Sequence, residues 1–144
     1  MAKLHLPYYK GHIEYNLPDE QVKAILVSKA EEYKATLSET EIVRNALNSP
    51  ISSNKLCELA KDKKHVVIIS SDHTRPVPSH ITMPLLLEEV RKFNQHVKIT
   101  ILIATGMHRP TTHEELVAKY GEKIVNEETI VVHDAYVDEN MTFK

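Results

Sequence analysis

The chain has 144 residues and a formal net charge of −2, about one domain's worth of sequence with no charge excess to suggest nucleic acid or an anionic membrane as partner. Apolar residues make up 42%, enough for a buried core, yet no apolar run approaches the roughly 20 residues of a membrane span, and the start lacks the apolar stretch of a secretory signal. One cysteine, Cys57, excludes an internal disulfide framework, and three glycines exclude a glycine-rich phosphate loop.

Lys3 to Tyr8 and His12 to Asn16 read as a small hairpin turning at Lys10-Gly11. Leu17-Pro18-Asp19 reads as a break and helix cap, with Val22, Ile25 and Leu26 on one face of a helix after it. Ser38 with Glu41 three residues on fits a capping box, followed by Ile42, Val43, Ala46 and Leu47 at helical spacing. Asn48-Ser49-Pro50 stops that helix. Ser53 or Asn54 caps a short one with Leu56, Leu59 and Ala60 inward, where Cys57 reads as a small apolar residue. Lys61 to Lys64 is a solvated turn.

His65 to Ile69 is an apolar strand, followed by a crowded polar connection, Ser70-Ser71-Asp72-His73-Thr74-Arg75-Pro76-Val77-Pro78. Pro76 fixes its own φ and biases Arg75 away from helix, so the loop is stiff as well as polar. A helix is predicted from Ser79 to Asn94. Its apolar face is Met83, Leu86, Leu87, Val90 and Phe93, with Glu88, Glu89, Arg91 and Lys92 opposite and Pro84 near its first turns. A strand from Val97 to Ile103 runs into a second polar loop, Ala104-Thr105-Gly106-Met107-His108-Arg109-Pro110. Thr112 and Glu115 form another capping box, opening a helix to about Tyr120. A last strand, Thr129 to Val132, ends at His133-Asp134, and Ala135 to Lys144 carry no closing element.

From Asn54 onward helices and strands alternate. The expected class is therefore α/β, a parallel sheet flanked by helices, with the hairpin at the N-terminal end. The expected division is 1–53, hairpin and helices, and 54–144, the alternating region. Ligands of such sheets gather beyond the carboxyl ends of the strands, where both polar loops and His133-Asp134 fall. In the isolated chain, a sheet edge left open after Val132 is expected to be paired by another copy of the chain or to be partly disordered.

Arg75 is a natural carboxylate or phosphate clamp, because its guanidinium forks two parallel hydrogen bonds. Asp72 could orient Arg75, accept a hydroxyl, or bridge to Arg75 structurally. His108, next to Gly106, is the candidate general acid/base. His5, His12 and His96 read as surface residues, His113 as solvated in a first helical turn and His65 as a strand start. His73 and His133 stand at the right end of the sheet, where capping is the plain alternative. No His-x-x-x-His or Cys-x-x-Cys spacing supports a metal site, and no Gly-x-Ser-x-Gly elbow supports a serine triad.

The segment Ser71 to Pro78, together with Ala104 to Pro110, closely resembles the lactate racemase family, the nickel-pincer 2-hydroxyacid racemases and epimerases. Pro7 to Gly11 and Ala46 to Ile51 also resemble that family's start. Family members are about three times longer, so the resemblance implies an amino-terminal piece of a two-domain enzyme; separately, the single cysteine and the lack of an export signal make a reducing cytoplasm the expected compartment. It implies a nickel-pincer nucleotide as cofactor, with the attachment lysine and the nickel-ligand histidine beyond residue 144. His108 matches one of two acid/base histidines, Arg75 matches the contact to the substrate carboxylate, and Asp72 sits in the same site. The implied chemistry is proton removal from the substrate hydroxyl by His108 while C2 gives up hydride. This suits a buried histidine beside an anion clamp. The chain alone is then expected to be inactive. The alternatives are a racemase or epimerase of another 2-hydroxy acid or sugar acid, and a non-catalytic module that binds small carboxylates.

Overall fold

The computed structural model describes residues 1–137 and divides into two compact units, Met1–Thr36 and a second unit starting at Leu37. In the first unit, β1 (Ala2–Tyr8) pairs antiparallel with β2 (Gly11–Leu17), Ala2 opposite Leu17 and Tyr8 opposite Gly11. Strand alternation puts Lys3, His5 and Pro7 on one face with His12, Glu14 and Asn16, and Leu4, Leu6 and Tyr8 on the other with Ile13 and Tyr15.

The helix expected around Val22, Ile25 and Leu26 is absent. Only single 3₁₀ turns form, at Asp19–Gln21 and Lys29–Glu32, and Leu26 is 94% exposed. A helix of that length is marginal without a surface to bury its apolar face, and Ile25 and Leu26 are both exposed.

The second unit opens with α1 (Glu39–Asn48). Its capping box is complete: Ser38 Oγ accepts from the Glu41 N–H at 3.3 Å and Glu41 Oε2 accepts from the Ser38 N–H at 2.9 Å. Grouped with the hairpin in the sequence-based division, α1 packs instead on α3 (Ser79–Arg91), where Arg44 forks onto Glu88 at 2.9 and 3.1 Å.

The short helix α2 (Leu56–Ala60) starts later than Ser53 or Asn54 would have it. Its N-cap is Lys55, whose N–H is accepted by Glu58 at 3.2 Å. This rotates Cys57 and Ala60 inward and leaves Leu59 exposed. Cys57 is a buried free thiol, pushed up in pKa by a hydrogen bond to Glu89 and by burial.

The sheet has the order β3 (His65–Ser71), β4 (Lys98–Ala104), β5 (Thr129–Val132), and both pairings are parallel. Ile101 and Ile103 are 0% exposed at its centre, packed with Ile99, Val66, Ile68, Ile130 and Val132. Truncating either central isoleucine to Ala should cost about 2–5 kcal/mol. The intervening residues Val67, Ile69 and Val131 point to the opposite face and are exposed.

Met83, Leu87 and Val90 of α3 join the core as expected, but Leu85 and Glu89 are buried too. The helix is covered on two sides, by the sheet and by α1 and α2, so the simple one-face pattern breaks. Phe93, expected inside, is exposed, because α3 stops three residues early. Asn94 instead leaves the helix, and its amide donates to the carbonyls of Ala60 at 2.9 Å and Lys63 at 2.8 Å, closing the open end of α2.

The helix α4 (His113–Tyr120) carries the second capping box and ends at Gly121, whose φ of 86° breaks the chain direction. A further helix, α5 (Glu122–Glu127), unforeseen in the sequence, brings Ile124 and Val125 onto the core. No helix among the described residues is long and apolar enough to cross a membrane.

Candidate active site

Parallel pairing brings the carboxyl ends of β3, β4 and β5 to one edge, and the loop after β3 meets the loop after β4 there. Gly106 turns the second loop at a φ of 57°, and the His108 N–H closes it by donating to the Thr105 carbonyl at 3.1 Å. Thr105 is itself buried and donates its hydroxyl to the carbonyl of His133, while the His133 N–H donates to the Ile103 carbonyl at 3.0 Å. The third strand end thus braces the second loop, and His133 acts there through its backbone.

At the meeting point, His108 Nδ1 lies 2.6 Å from Asp72 Oδ2. Asp72 is 2% exposed, and its other oxygen accepts from the Thr74 N–H at 3.1 Å and the Thr74 hydroxyl at 2.7 Å. The Thr74 hydroxyl, followed by the His108 contact, holds the Asp72 carboxyl below its ordinary pKa against the opposing effect of burial. A carboxylate so held only accepts, so His108 carries its proton on Nδ1 and Nε2 is left as the basic nitrogen. The imidazole is 46% exposed. This corrects the expectation of a buried histidine: the carboxylate is buried and the ring reaches out from it.

Lys119 of α4 secures the same turn from behind. Its ammonium donates to the Asp72 carbonyl at 3.0 Å and to Ser71 Oγ at 3.3 Å, and burial lowers its pKa. Beside it, the Tyr120 hydroxyl donates to Ser70 Oγ at 2.7 Å.

Arg75 makes no bridge to Asp72, whose carboxylate partners are Thr74 and His108. It lines an open cleft of about 300 Å³ with His73, His80, Glu115, Ala118 and Lys119. Among the described residues the Arg75 guanidinium has no acidic partner, which suits a group that receives an external anion. His73 is held nearby, its Nδ1 3.1 Å from Thr111 Oγ1 and 3.6 Å from Glu115 Oε2. Glu115 is already forked by Arg109 at 2.6 and 2.9 Å, and that contact pulls its carboxyl down to about 2.

The structure therefore joins Asp72 to His108 and sets Arg75 in the adjoining cleft. Lys119 and His80 escaped the sequence reading because they sit at ordinary helical positions.

A model of the lactate racemase N-terminal domain matches residues 8–143. The chain is 53% identical over 141 residues to the lactate racemases of Thermoanaerobacterium thermosaccharolyticum and Lactiplantibacillus plantarum, covering 98% of this chain and 33% of each of theirs. The solved structure of the lactate racemase apoprotein from Thermoanaerobacterium thermosaccharolyticum superposes with a TM-score of 0.84 at 49% identity, over 97% of this chain and 32% of that one. The chain spans about a third of the length of these relatives, and over that third it belongs to the lactate racemase N-terminal domain family.

Proposed function

We propose that this chain supplies one acid/base group and the carboxylate clamp of a racemase acting on a small 2-hydroxy acid, lactate in the first instance. The observation that carries the reading is the contact between buried Asp72 and His108 at 2.6 Å, on a loop edge shared with Arg75.

Arg75 would hold the substrate carboxylate by a forked pair of hydrogen bonds and so fix C2 and its hydroxyl. His108 Nε2 would take the hydroxyl proton as the C2–H bond breaks and the carbonyl of a 2-oxo acid forms. Asp72 would keep the proton already on Nδ1 and stabilise the imidazolium that results. The same proton then returns from Nε2 to the oxygen when C2 is reduced again. Racemisation needs a second acid/base group on the other face of the planar intermediate. That group is expected beyond residue 144, so the chain alone should be inactive.

A nickel-pincer nucleotide, when bound, supplies the acceptor for the C2 hydride. Arg75 and Lys119 place two cations on the cleft lining, beside the Glu115 carboxylate that Arg109 already pairs, where an anionic nucleotide would bind. A cytoplasmic enzyme is in keeping with the buried, unpaired Cys57. The open edges of β3 and β5 are where isolated copies would associate.

The test is racemisation of D- and L-lactate by the full-length, cofactor-loaded protein, beside Arg75→Lys and a panel of longer 2-hydroxy acids. Activity on lactate with a raised KM in Arg75→Lys supports the reading. Turnover of another 2-hydroxy acid in place of lactate would move the substrate and keep the chemistry. Carboxylate binding without any turnover would refute the catalytic role.

A further inference from the structure

We propose that the polar face of the β1–β2 hairpin is a binding site for a divalent transition cation of the Zn²⁺ type, held by His5, His12 and Glu14. The antiparallel register places Glu14 directly opposite His5 and His12 diagonal to it, all on one face. Their side chains converge as well. One ligand atom from each lies within 4.8 Å of the others, the two imidazoles stand 5.2 Å apart between centroids, and His5 Nδ1 is 3.6 Å from Glu14 Oε1.

Two imidazoles and a carboxylate form a donor set for a borderline cation, with further positions left to water. Ligands about 2.0–2.1 Å from a tetrahedral zinc stand roughly 3.4 Å from one another, so side-chain rotation of little more than 1 Å closes the site. The strands hold the backbone of these residues in place, and all three side chains are exposed. The other hairpin face is apolar, so the polar side chains of the hairpin are gathered on this one.

One contact opposes the site. Lys3 Nζ lies 2.8 Å from Glu14 Oε1, the same oxygen that faces His5. A cation must displace that ammonium. Removing it should tighten binding.

The experiment is titration of the 144-residue chain with Zn²⁺ at neutral pH, followed by calorimetry and by the imidazole NMR signals of His5 and His12. The expected result is one Zn²⁺ per chain, with both ring signals shifted. Loss of an outer-shell partner already weakens metal sites about 10- to 100-fold, so His5→Ala and His12→Ala should each cost at least that. Lys3→Met should strengthen binding several-fold, and His96→Ala, an exposed histidine of the second unit, should leave it unchanged. Absence of binding in the wild type would overturn the proposal. So would wild-type affinity in the His5→Ala/His12→Ala double variant, or weaker binding in Lys3→Met.

Discussion

His108 and His73 occupy the same edge of the sheet and are both held through Nδ1, yet they have different partners. His108 meets a carboxylate that is buried, held ionised and, among the described residues, in an ion pair with no other side chain: Asp72 at 2.6 Å. His73 meets a hydroxyl, Thr111 Oγ1 at 3.1 Å, and a carboxylate at 3.6 Å that already answers to Arg109. Their exposures differ in the same sense, 46% for the His108 side chain and 17% for His73. A strand end therefore offers several imidazoles, and the dedicated carboxylate distinguishes the one suited to proton transfer. His73 reads as a wall of the cleft.

The sharpest way to break this comparison is to remove each ring in the full-length, cofactor-loaded protein. His108→Ala should lower kcat for lactate racemisation by about 10²–10⁴-fold, the usual worth of a positioned acid/base group. Asp72→Asn keeps the ring but loses the anion that fixes its tautomer. It should cost about 10²-fold in kcat with KM little changed. Thr74→Val leaves the Asp72–His108 contact but removes a hydroxyl worth about 1 kcal/mol, so a loss of about fivefold is expected in the same assay. His73→Gln should fall within about threefold of wild type. A loss there as large as that of His108→Ala would end the distinction between the two rings.

A smaller effect concerns stability alone. Glu115 has its carboxyl pulled from 4.5 to about 2 in the folded chain, chiefly by Arg109. A lowered folded-state pKa contributes stability that is complete above the unfolded value and is lost as pH falls from there through about 2. Glu115→Gln should therefore flatten the acid-unfolding curve of the chain between pH 4.5 and 2, measured by circular dichroism. At neutral pH the His73 environment should change little.

Much of this architecture is legible residue by residue. Ser38 with Glu41 and Thr112 with Glu115 announce their helices, because reciprocal capping is local and needs no tertiary partner. The strand from Thr129 to Val132 lies where its β-branched run puts it. The helix expected around Ile25 fails for the opposite reason: its apolar face needed a partner surface that its unit lacks. The helix α5 went unseen because it spans six residues and has no side-chain cap. Burial of Glu89 follows from α3 being covered on two sides, which no periodicity reveals. In the site, residue identity pointed to Asp72, Arg75 and His108, but their pairing did not. Asp72 lay within three residues of both Thr74 and Arg75 in sequence, and only the parallel register brings the His108 loop onto it.

The central claim is that Asp72 fixes the proton of His108 on Nδ1 and leaves Nε2 as the base. Nitrogen-15 NMR of the His108 ring, in the wild-type chain and in Asp72→Asn above the pH of imidazole titration, tests it without need of cofactor or turnover. The account predicts a protonated Nδ1 and an unprotonated Nε2 in the wild type, giving way to a mixture of tautomers in Asp72→Asn. A wild-type ring protonated on Nε2, or a ring indifferent to Asp72→Asn, would contradict it.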